Sequence, residues 1–286
     1  MTPRISVVIV NYNSGRALTS TLASLPAGLA GLEWDAAVVD NASADHSERA
    51  AQGDERTRLV RHPSNVGFAA GVNLGTAATL APFVLVLNPD CRLEPGAGRV
   101  LLDELQRHPS CAVMGPAILN PSGTLQESAR GDPDMLTGAF GRTSFLSRVL
   151  PDSRLARRNL RSNALAGSTS SSQPVDWVSG ACMLVRRDAL AGVGGFDEGY
   201  FLYWEDADLC RRLRTAGWET RYMPGATAVH DVGQSSRNAR GLANREFHRS
   251  AYRYFATHVV PQRWHPGRPI GWLVLMLRSR FKSPGR

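Results

Sequence analysis

The sequence predicts an α/β fold with a mostly parallel sheet flanked by helices, and three observations favour it. Short β-branched apolar runs alternate with helical stretches along the first half of the chain. Each strong run ends in a polar turn, as in open sheets that bind ligands at the carboxyl ends of their strands. With 286 residues, 43% apolar and 20% charged, the chain has the composition of a globular protein, which excludes global disorder.

The N-terminal elements follow from these runs in order. Unbroken Val, Ile, Leu and Ala stretches predict buried strands, whereas flanking arginines weaken the third strand. Ser14 is a candidate N-cap of the first helix, and Ser43 or Asp45 of a short one. The predicted strands are 5–10, 35–40, 58–61 and 82–87, and the longer helices are 17–25, 67–80 and 96–108. The sequence contains neither a GxGxxG fingerprint nor a GxxxxGK[ST] loop, which excludes those two phosphate-binding motifs.

The second half is predicted to be less regular. The stretch 131–174 is rich in arginine and serine and is interpreted as a mobile loop, with a plain surface insertion as the alternative. A helix at 204–216 is expected because leucines repeat at i+4, acids fill its first turn and a glycine follows it. The other predicted segments are strands at 111–119, 124–128 and 220–229, an ordered stretch at 175–186 and a basic helix at 237–258.

Positive charge is concentrated at the C-terminus. The net charge is +8, but residues 237–286 carry +10 and the rest of the chain carries −2. Such a tail could meet nucleic acid, anionic lipid or a phosphorylated substrate. Residues 263–286 combine a short apolar stretch around Trp272 with basic flanks, which suits a helix lying on an anionic membrane surface. Packing of this helix on the body of the protein is the alternative.

Cysteine usage and apolar segments bear on the compartment. Cys91, Cys111, Cys182 and Cys210 form no CxxC pair, so buried thiols are expected rather than a zinc site. The N-terminus lacks the apolar core of a secretory signal, and no apolar run reaches the roughly 20 residues of a membrane span. We therefore expect the protein on the cytoplasmic side of the membrane.

Two strand ends carry candidate site residues. Asp40, followed by Asn41, could accept hydrogen bonds from a base or a ribose, although acids are also common in such turns. Asp90 closes the run Asn88-Pro89-Asp90 and could hold a divalent cation against a diphosphate, because Mg²⁺ and Mn²⁺ take oxygen ligands. An Asx turn is the alternative for this run.

A third candidate group is the acid cluster Glu205, Asp206 and Asp208. Helix capping explains acids at this position, but Trp204 and the neighbouring aromatic residues also suggest a shielded sugar-binding site. His230 follows at the end of the next predicted strand. It could be a metal ligand oriented by a carboxylate, or a structural histidine.

Taken in order, these segments resemble the family 2 glycosyltransferases of the GT-A fold over residues 4–262. The resemblance rests on Val-Ile-Val-Asn-Tyr-Asn at 8–13, Val-Asp-Asn-Ala-Ser at 39–43, residues 65–73, Leu-Asn-Pro-Asp at 87–90, Trp-Val-Ser-Gly-Ala at 177–181, Gly-Phe-Asp-Glu at 195–198, Trp-Glu-Asp at 204–206 and His230. Bacterial rhamnosyltransferase-like members, which build cell-wall linkers, O-antigen or capsule, are the most similar. The sequence departs from the family at the DxD element, where it has one carboxylate.

The resemblance implies a layout and a set of roles. Residues 1–95 would form the nucleotide-binding half, 96–236 the acceptor-binding and catalytic half, and 237–262 a basic helix before the tail. Asp206 would be the general base. Asp90 and His230 would ligate Mg²⁺ or Mn²⁺ together with diphosphate oxygens. Nucleotide-sugar contacts would come from Val10, Tyr12, Asp40, Gly67, Asn73, Asp90 and Gly180, and the acceptor pocket from Trp204 and Glu205.

The implied reaction is inverting transfer of a sugar to a hydroxyl of a glycan or a lipid-diphosphate-linked saccharide. The first choice of donor is dTDP-rhamnose, and a UDP-sugar is the alternative. A helix N-terminus and the cation are expected to keep Asp206 ionised. The rival interpretations are a non-catalytic nucleotide-sugar-binding protein, a nucleotidyltransferase and a nucleic-acid-binding protein. The last is disfavoured because the charge is confined to the tail and no nucleic-acid-binding motif is present.

Overall fold

A computed structural model of the chain describes residues 2–132, 171–231 and 240–281. The predicted loop 131–174 falls almost entirely outside the described residues, as does the start of the predicted helix 237–258. Within the described part, none of the helices is both long and apolar enough to cross a membrane.

The central sheet is built from the apolar runs that predicted it. Among the described residues its nine strands are β1 (Ile5–Asn11), β2 (Trp34–Asn41), β3 (Thr57–His62), β4 (Phe83–Leu87), β5 (Cys91–Leu93), β6 (Cys111–Leu119), β8 (Gln173–Val175), β10 (Cys182–Arg186) and β11 (Glu219–His230). A separate two-stranded ribbon pairs β7 (Ala129–Arg130) with β9 (Trp177–Val178).

The strand order is β3-β2-β1-β4-β10-β6-β11-β5, with β8 beside β11. Strands β1 to β4 are parallel, and so are β6 and β11. Strand β10 lies between the two groups and is antiparallel to both of its neighbours. Both groups therefore run in one direction, which confirms the predicted mostly parallel α/β fold.

Helices cover both faces of the sheet. The described helices are α1 (Ala17–Gly28), α2 (Phe68–Ala77), α3 (Ala97–Arg107), α4 (Arg187–Gly192), α5 (Glu205–Thr215), α6 (Arg240–Tyr254) and α7 (Gly267–Phe281). Alternate residues of β1 point to opposite sides: Val7 and Ile9 join a core with α1 and α3, whereas Val8 and Val10 join a core with α2, α4 and α5. All four cysteines are buried free thiols, as predicted.

Three local predictions are wrong in part. Helix α1 begins at Ala17 as predicted, but Ser14 does not cap it: Arg16 occupies the N-cap position, and the Ser14 hydroxyl donates to the Asn11 side chain. The short helix expected after 43–45 is a 3₁₀ turn preceded by His46 and without a side-chain cap. Residues 124–128 form no strand, and only an isolated bridge joins Leu119 to Leu125.

Helix α7 packs on the body through one face. The Asn244 side chain on α6 donates to the Ser279 carbonyl at 2.9 Å, and Leu275 is 7% exposed. A π-helical turn, Phe255–Val259, follows α6. A Cβ at Gly271 would lie 2.7 Å from the Phe255 ring, so a glycine is needed for this close approach. The other face of α7 is exposed.

Candidate active site

The carboxyl ends of β1 and β2 are joined by a buried polar network. Asn11 Nδ2 donates to Asp40 Oδ1 at 2.8 Å and lies 2.9 Å from the Ser47 hydroxyl oxygen. Asp40 is 5% exposed, and its Oδ2 accepts a hydrogen bond from the Ser43 N–H at 3.3 Å. The carboxylate that is predicted to bind the nucleobase, Asp40, therefore lies at the expected edge of the sheet, and Asn11 orients it.

A second cluster joins the end of β4 to the end of β11. His230 Nε2 lies 3.1 Å from Asp90 Oδ1 and 3.4 Å from Asn88 Nδ2. Gln126 holds the rest of the histidine: its Oε1 lies 3.2 Å from Nδ1, and its Nε2 donates to the His230 carbonyl at 2.7 Å. The two predicted metal ligands are thus in direct contact. Asn88, Asp90, Gln126 and His230 are called the His230 cluster below.

The donor atoms of the His230 cluster suit a divalent cation. Because an amide oxygen only accepts hydrogen bonds, the Gln126 Oε1 accepts from His230 Nδ1, which leaves Nε2 as the ring atom that faces Asp90. A cation between Nε2 and the Asp90 carboxylate would take both as ligands. Nitrogen and carboxylate oxygen donors fit Mn²⁺ or Mg²⁺. Over the residues that the structure describes, no group of three or more His, Cys, Asp or Glu could hold a metal, so diphosphate oxygens and water would complete the coordination.

The predicted base, Asp206, is tied to the same region through two consecutive residues. Its Oδ2 accepts a hydrogen bond from the Gly180 N–H at 3.0 Å, and its Oδ1 accepts one from the Ala207 N–H at 2.8 Å. The next residue, Ala181, accepts the Asn88 N–H through its carbonyl at 2.9 Å. The consecutive residues Gly180 and Ala181 therefore link the predicted general base to the His230 cluster.

Burial shapes the acidity of the first two residues of α5. It raises the pKa of Asp206, although the Gly180 and Ala207 N–H groups and the charge of Arg130 lower that pKa. It also raises the pKa of Glu205 well above its ordinary value, and the charge of Asp206 adds to that rise. The net shift of the Asp206 pKa is therefore upward, opposite to the shift expected for an acid at a helix N-terminus. A raised pKa makes Asp206 a stronger proton acceptor than an exposed aspartate.

The third acid of α5, Asp208, has a structural role. Its side chain is 1% exposed and lies 2.7 Å from both His258 Nε2 and Arg212 Nε. Burial raises the Asp208 pKa, but the hydrogen bond from His258 and the charge of Arg212 together hold the pKa below its ordinary value. Asp208 therefore fastens α5, and with it the base, to the turn that follows α6.

Strained backbone precedes the base. Tyr203 and Trp204 have φ angles of 68° and 71°, in the left-handed region, which costs non-glycine residues about 1 kcal/mol each. The Trp204 ring packs on Tyr254 and Phe247, with centroid distances of 5.3 and 5.9 Å. Glu205 is only 6% exposed, and its Oε2 has no hydrogen-bond partner among the described residues. The two predicted acceptor residues, Trp204 and Glu205, thus sit in a rigid aromatic turn next to the base.

Gly67, a predicted nucleotide contact, adopts a conformation that is essentially restricted to glycine. Its φ and ψ are 88° and 179°. A Cβ at this position would lie 2.5 Å from the Phe201 carbonyl oxygen, which accepts the Phe68 N–H at 2.8 Å. Asn41 Nδ2 donates to the Gly67 carbonyl at 2.9 Å. The glycine therefore lets the start of α2 approach both the end of β2 and the turn before α5.

The remaining predicted nucleotide contacts lie on β1 and α2. Val10 is 7% exposed and packs against Gly71, where a Cβ would lie 2.7 Å from the valine side chain. Tyr12 follows β1 and is half-buried. The Asn73 amide donates to the Phe196 carbonyl and accepts from the Phe196 N–H, both at 2.9 Å. The Asn73 side chain is thus engaged in protein contacts, and its role toward a nucleotide stays a prediction.

Sequence reasoning missed two residues that act on the site. Gln126 orients His230, and the charge of Arg130 reaches Asp206. Neither residue lies in a strand-end turn or an acid cluster, the two patterns that predict site residues in this sequence. The one available signal was the polar run Gln-Glu-Ser at 126–128, which interrupts the predicted strand.

Sequence comparison relates the chain to known proteins. The family model described as "Glycosyl transferase family 2" matches residues 6–193, and "Glycosyl transferase family group 2" matches residues 138–278. The chain is 35% identical over 303 residues to the N-acetylglucosaminyl-diphospho-decaprenol L-rhamnosyltransferase of Mycobacterium tuberculosis, with 98% of this chain and 93% of that protein covered. It is 44% identical over 82 residues to the rhamnosyltransferase WbbL of Escherichia coli, with 29% and 31% covered.

Structure comparison supports the fold. The mannosyltransferase PcManGT from Pyrobaculum calidifontis, solved with GDP-Man and Mn²⁺, aligns with a TM-score of 0.59 at 15% identity, covering 99% of this chain and 71% of that chain. A likeness at this identity bears on the GT-A fold alone. The family match over more than half of the chain and the full-length relative go further: the chain belongs to glycosyl transferase family 2 and is a glycosyltransferase.

Proposed function

We propose that this glycosyltransferase moves L-rhamnose from a nucleoside-diphosphate donor to a hydroxyl of a lipid-diphosphate-linked saccharide, with inversion at the anomeric carbon. The observation that carries the proposal is the position of the Asp206 carboxylate. This carboxylate accepts a hydrogen bond from the Gly180 N–H, and the next residue, Ala181, accepts one from Asn88 of the His230 cluster. Similarity along the whole chain to the M. tuberculosis rhamnosyltransferase supports the choice of sugar and acceptor class. Residues 1–95 would bind the nucleotide, and residues 96–236 the acceptor.

The residues of the chain supply the proton transfer and the orientation. Asp206 accepts the proton of the acceptor hydroxyl while that oxygen bonds to the anomeric carbon and the bond from this carbon to the diphosphate oxygen breaks. Attack from the side opposite the leaving group inverts the anomeric centre. Asp40 would hold the nucleoside at the edge of β1 and β2. Asp90 and His230 would hold Mg²⁺ or Mn²⁺, which supplies positive charge for the leaving diphosphate.

A screen of nucleotide sugars tests the donor. Purified enzyme, Mn²⁺ and an N-acetylglucosaminyl-diphospho-lipid acceptor are incubated with dTDP-rhamnose or with UDP-, GDP- and dTDP-hexoses, and release of nucleoside diphosphate is measured. We expect the highest kcat/KM with dTDP-rhamnose. A higher value with a UDP-sugar would replace the donor. In a separate incubation with a sugar phosphate and a nucleoside triphosphate, formation of a nucleotide sugar and pyrophosphate would instead indicate a nucleotidyltransferase.

The exposed face of α7 fits a second part of the proposal, contact with an anionic membrane. Ile270, Leu273, Val274 and Leu277 repeat at i, i+3, i+4 and i+7, and their side chains are between 38% and 62% exposed. Trp264, just before α7, is 97% exposed. The surrounding region, residues 237–286, carries a net charge of +10. An apolar stripe within cationic sequence is typical of helices that lie in the headgroup region of an anionic bilayer, where the lipid-linked acceptor resides.

Vesicle sedimentation tests the membrane contact. We expect binding to phosphatidylglycerol vesicles at low salt, weaker binding at high salt, and little binding to phosphatidylcholine vesicles. Changing Ile270, Leu273 and Leu277 together to serine should lower the partition coefficient at least tenfold, because each side chain loses apolar surface that the bilayer would bury. Leu80→Ser is the matched control, since Leu80 is 91% exposed but far along the chain from α7. Equal binding of the triple variant and the wild type would refute the assignment of this face.

A further inference from the structure

Helix α6 supports the stretch of chain that leads into α5, the helix that carries the predicted base. Arg253 of α6 donates to the Asp197 carboxylate oxygen Oδ2 through Nε and Nη2, at 3.1 and 2.8 Å. The Ser250 hydroxyl, one turn earlier on α6, donates to the Leu202 carbonyl at 2.9 Å. The residues that precede the base are therefore fixed relative to α6.

The start of α5 contacts the same region on both sides of the base. Trp204 and Asp208 are one helical turn apart, and Asp206 lies midway between them in the sequence. The Trp204 ring packs on Tyr254, with ring centroids 5.3 Å apart. Asp208 Oδ1 lies 2.7 Å from His258 Nε2. The four contacting residues, Trp204, Asp208, Tyr254 and His258, are called the α5 clasp below.

The π-helical turn that carries His258 is itself held by α7. Arg268 Nε donates to the Val260 carbonyl at the end of this turn, at 3.0 Å. The glycine at 271 lets α7 approach the Phe255 ring at the start of the turn. Turns of this kind are rare overall but frequent at functional sites. His258 is therefore presented to α5 from a turn that is held at both of its ends.

The α5 clasp acts on a strained backbone. Tyr203 and Trp204 have left-handed φ angles of 68° and 71° just before α5, and such conformations persist in non-glycine residues only where the surroundings enforce them. Release of a clasp contact would let this turn relax, and Asp206 would lose its place against the Gly180 N–H, now 3.0 Å away. Displacement of a reacting group by about 1 Å can cost a hundredfold in rate.

We propose that His258 is a positioning residue for sugar transfer, which acts through Asp208 to hold the Asp206 carboxylate at the acceptor hydroxyl. The proposal rests on the proposed function, in which Asp206 is the base, and adds a residue that touches no substrate. Arg212 Nε binds the other Asp208 oxygen at 2.7 Å from within α5. The polar link from Asp208 to the turn after α6 therefore depends on His258.

Two variants and a control test this role. His258→Leu removes the hydrogen bond to Asp208, whereas His258→Gln keeps an N–H donor. We expect His258→Leu to lower kcat at least tenfold with an unchanged KM for the donor, and His258→Gln to restore most of the loss. Active sites are counted by calorimetric titration with the nucleoside diphosphate. His108→Leu is the matched control and should keep the wild-type kcat, because it breaks a similar contact, 3.2 Å long, to the buried Glu104 on α3.

The pH dependence of kcat separates positioning from simple loss of stability. Burial raises the pKa of Asp206, so loosening of α5 would expose this carboxylate and lower its pKa. The fall of kcat at acid pH should therefore move to lower pH in His258→Leu and stay in place in His108→Leu. Arg130 on β7 and Glu205 on α5, which interact electrostatically with Asp206, are unaltered in both variants.

A double variant decides whether His258 works through the base. His258→Leu should cost little in the Asp206→Asn background, because the group that His258 positions is already absent. A further tenfold loss in that background would overturn the proposal, as would a wild-type kcat per active site in His258→Leu alone. A loss of kcat without a shift of the acid limb would assign His258 to stability and would also overturn it. Full turnover by Asp206→Asn alone would instead end the proposed function.

Discussion

Asp206→Asn is expected to abolish sugar transfer and to leave nucleotide binding intact. Asparagine keeps the size of the side chain and can still accept the Gly180 N–H, which Asp206 accepts at 3.0 Å. It has no basic oxygen, so the proton of the acceptor hydroxyl has no acceptor as the new bond forms. Loss of a general base costs about 10²–10⁴ in rate. Steady-state transfer assays and calorimetric titration of the donor nucleoside diphosphate measure the two effects separately.

The pH profile of the wild type gives this assignment a second test. Asp206 acts only when it is deprotonated, and burial raises its pKa above the ordinary value of an aspartate. Activity should therefore fall as the pH drops through the raised pKa, at a higher pH than an exposed aspartate would give. Asp103→Asn, an exposed acid on α3, is the control and should leave the profile unchanged. Full turnover by Asp206→Asn would remove Asp206 from the role of base.

The sheet could be predicted because its signals are local. β1, β2 and β4 are unbroken apolar runs, and their burial on both faces needs nothing beyond the sequence of each strand. The polar residues that end these runs meet at one edge because parallel strands place their carboxyl ends together. For this reason Asp40 and Asp90 could be predicted as site residues from the sequence.

Other parts of the site depend on contacts that no local pattern encodes. β10 enters the sheet antiparallel between β4 and β6, and this insertion brings Gly180 and Ala181 to the base and to Asn88. Gln126 reaches His230 across 104 residues of sequence. Burial of Asp206 also arises from this packing, so the direction of its pKa shift could not be predicted from the helix N-terminus. The resemblance to a family supplied the roles, whereas the supporting residues required the structure.

Asp90→Asn is expected to remove the dependence of donor binding on divalent cations. Asp90 supplies the one carboxylate of the His230 cluster, and its Oδ1 lies 3.1 Å from His230 Nε2. Asparagine is a weaker ligand and leaves the donor diphosphate without its share of positive charge, which is worth several kcal/mol in the transition state. Transfer should fall at least a hundredfold, and excess chelator should do the same to the wild type.

Calorimetry separates this loss from a folding defect. In the wild type, Mn²⁺ should tighten binding of the nucleoside diphosphate, because the cation and the diphosphate complete each other's coordination. In Asp90→Asn, affinity with and without Mn²⁺ should be nearly equal, and His230→Gln should behave similarly because it removes the nitrogen ligand. Asp54→Asn, which alters an exposed acid paired with Arg56, should retain the wild-type difference. Full transfer by the wild type in excess chelator would show that Asp90 and His230 act without a metal. In that case the positive charge that neutralises the leaving diphosphate would have to come from the protein itself.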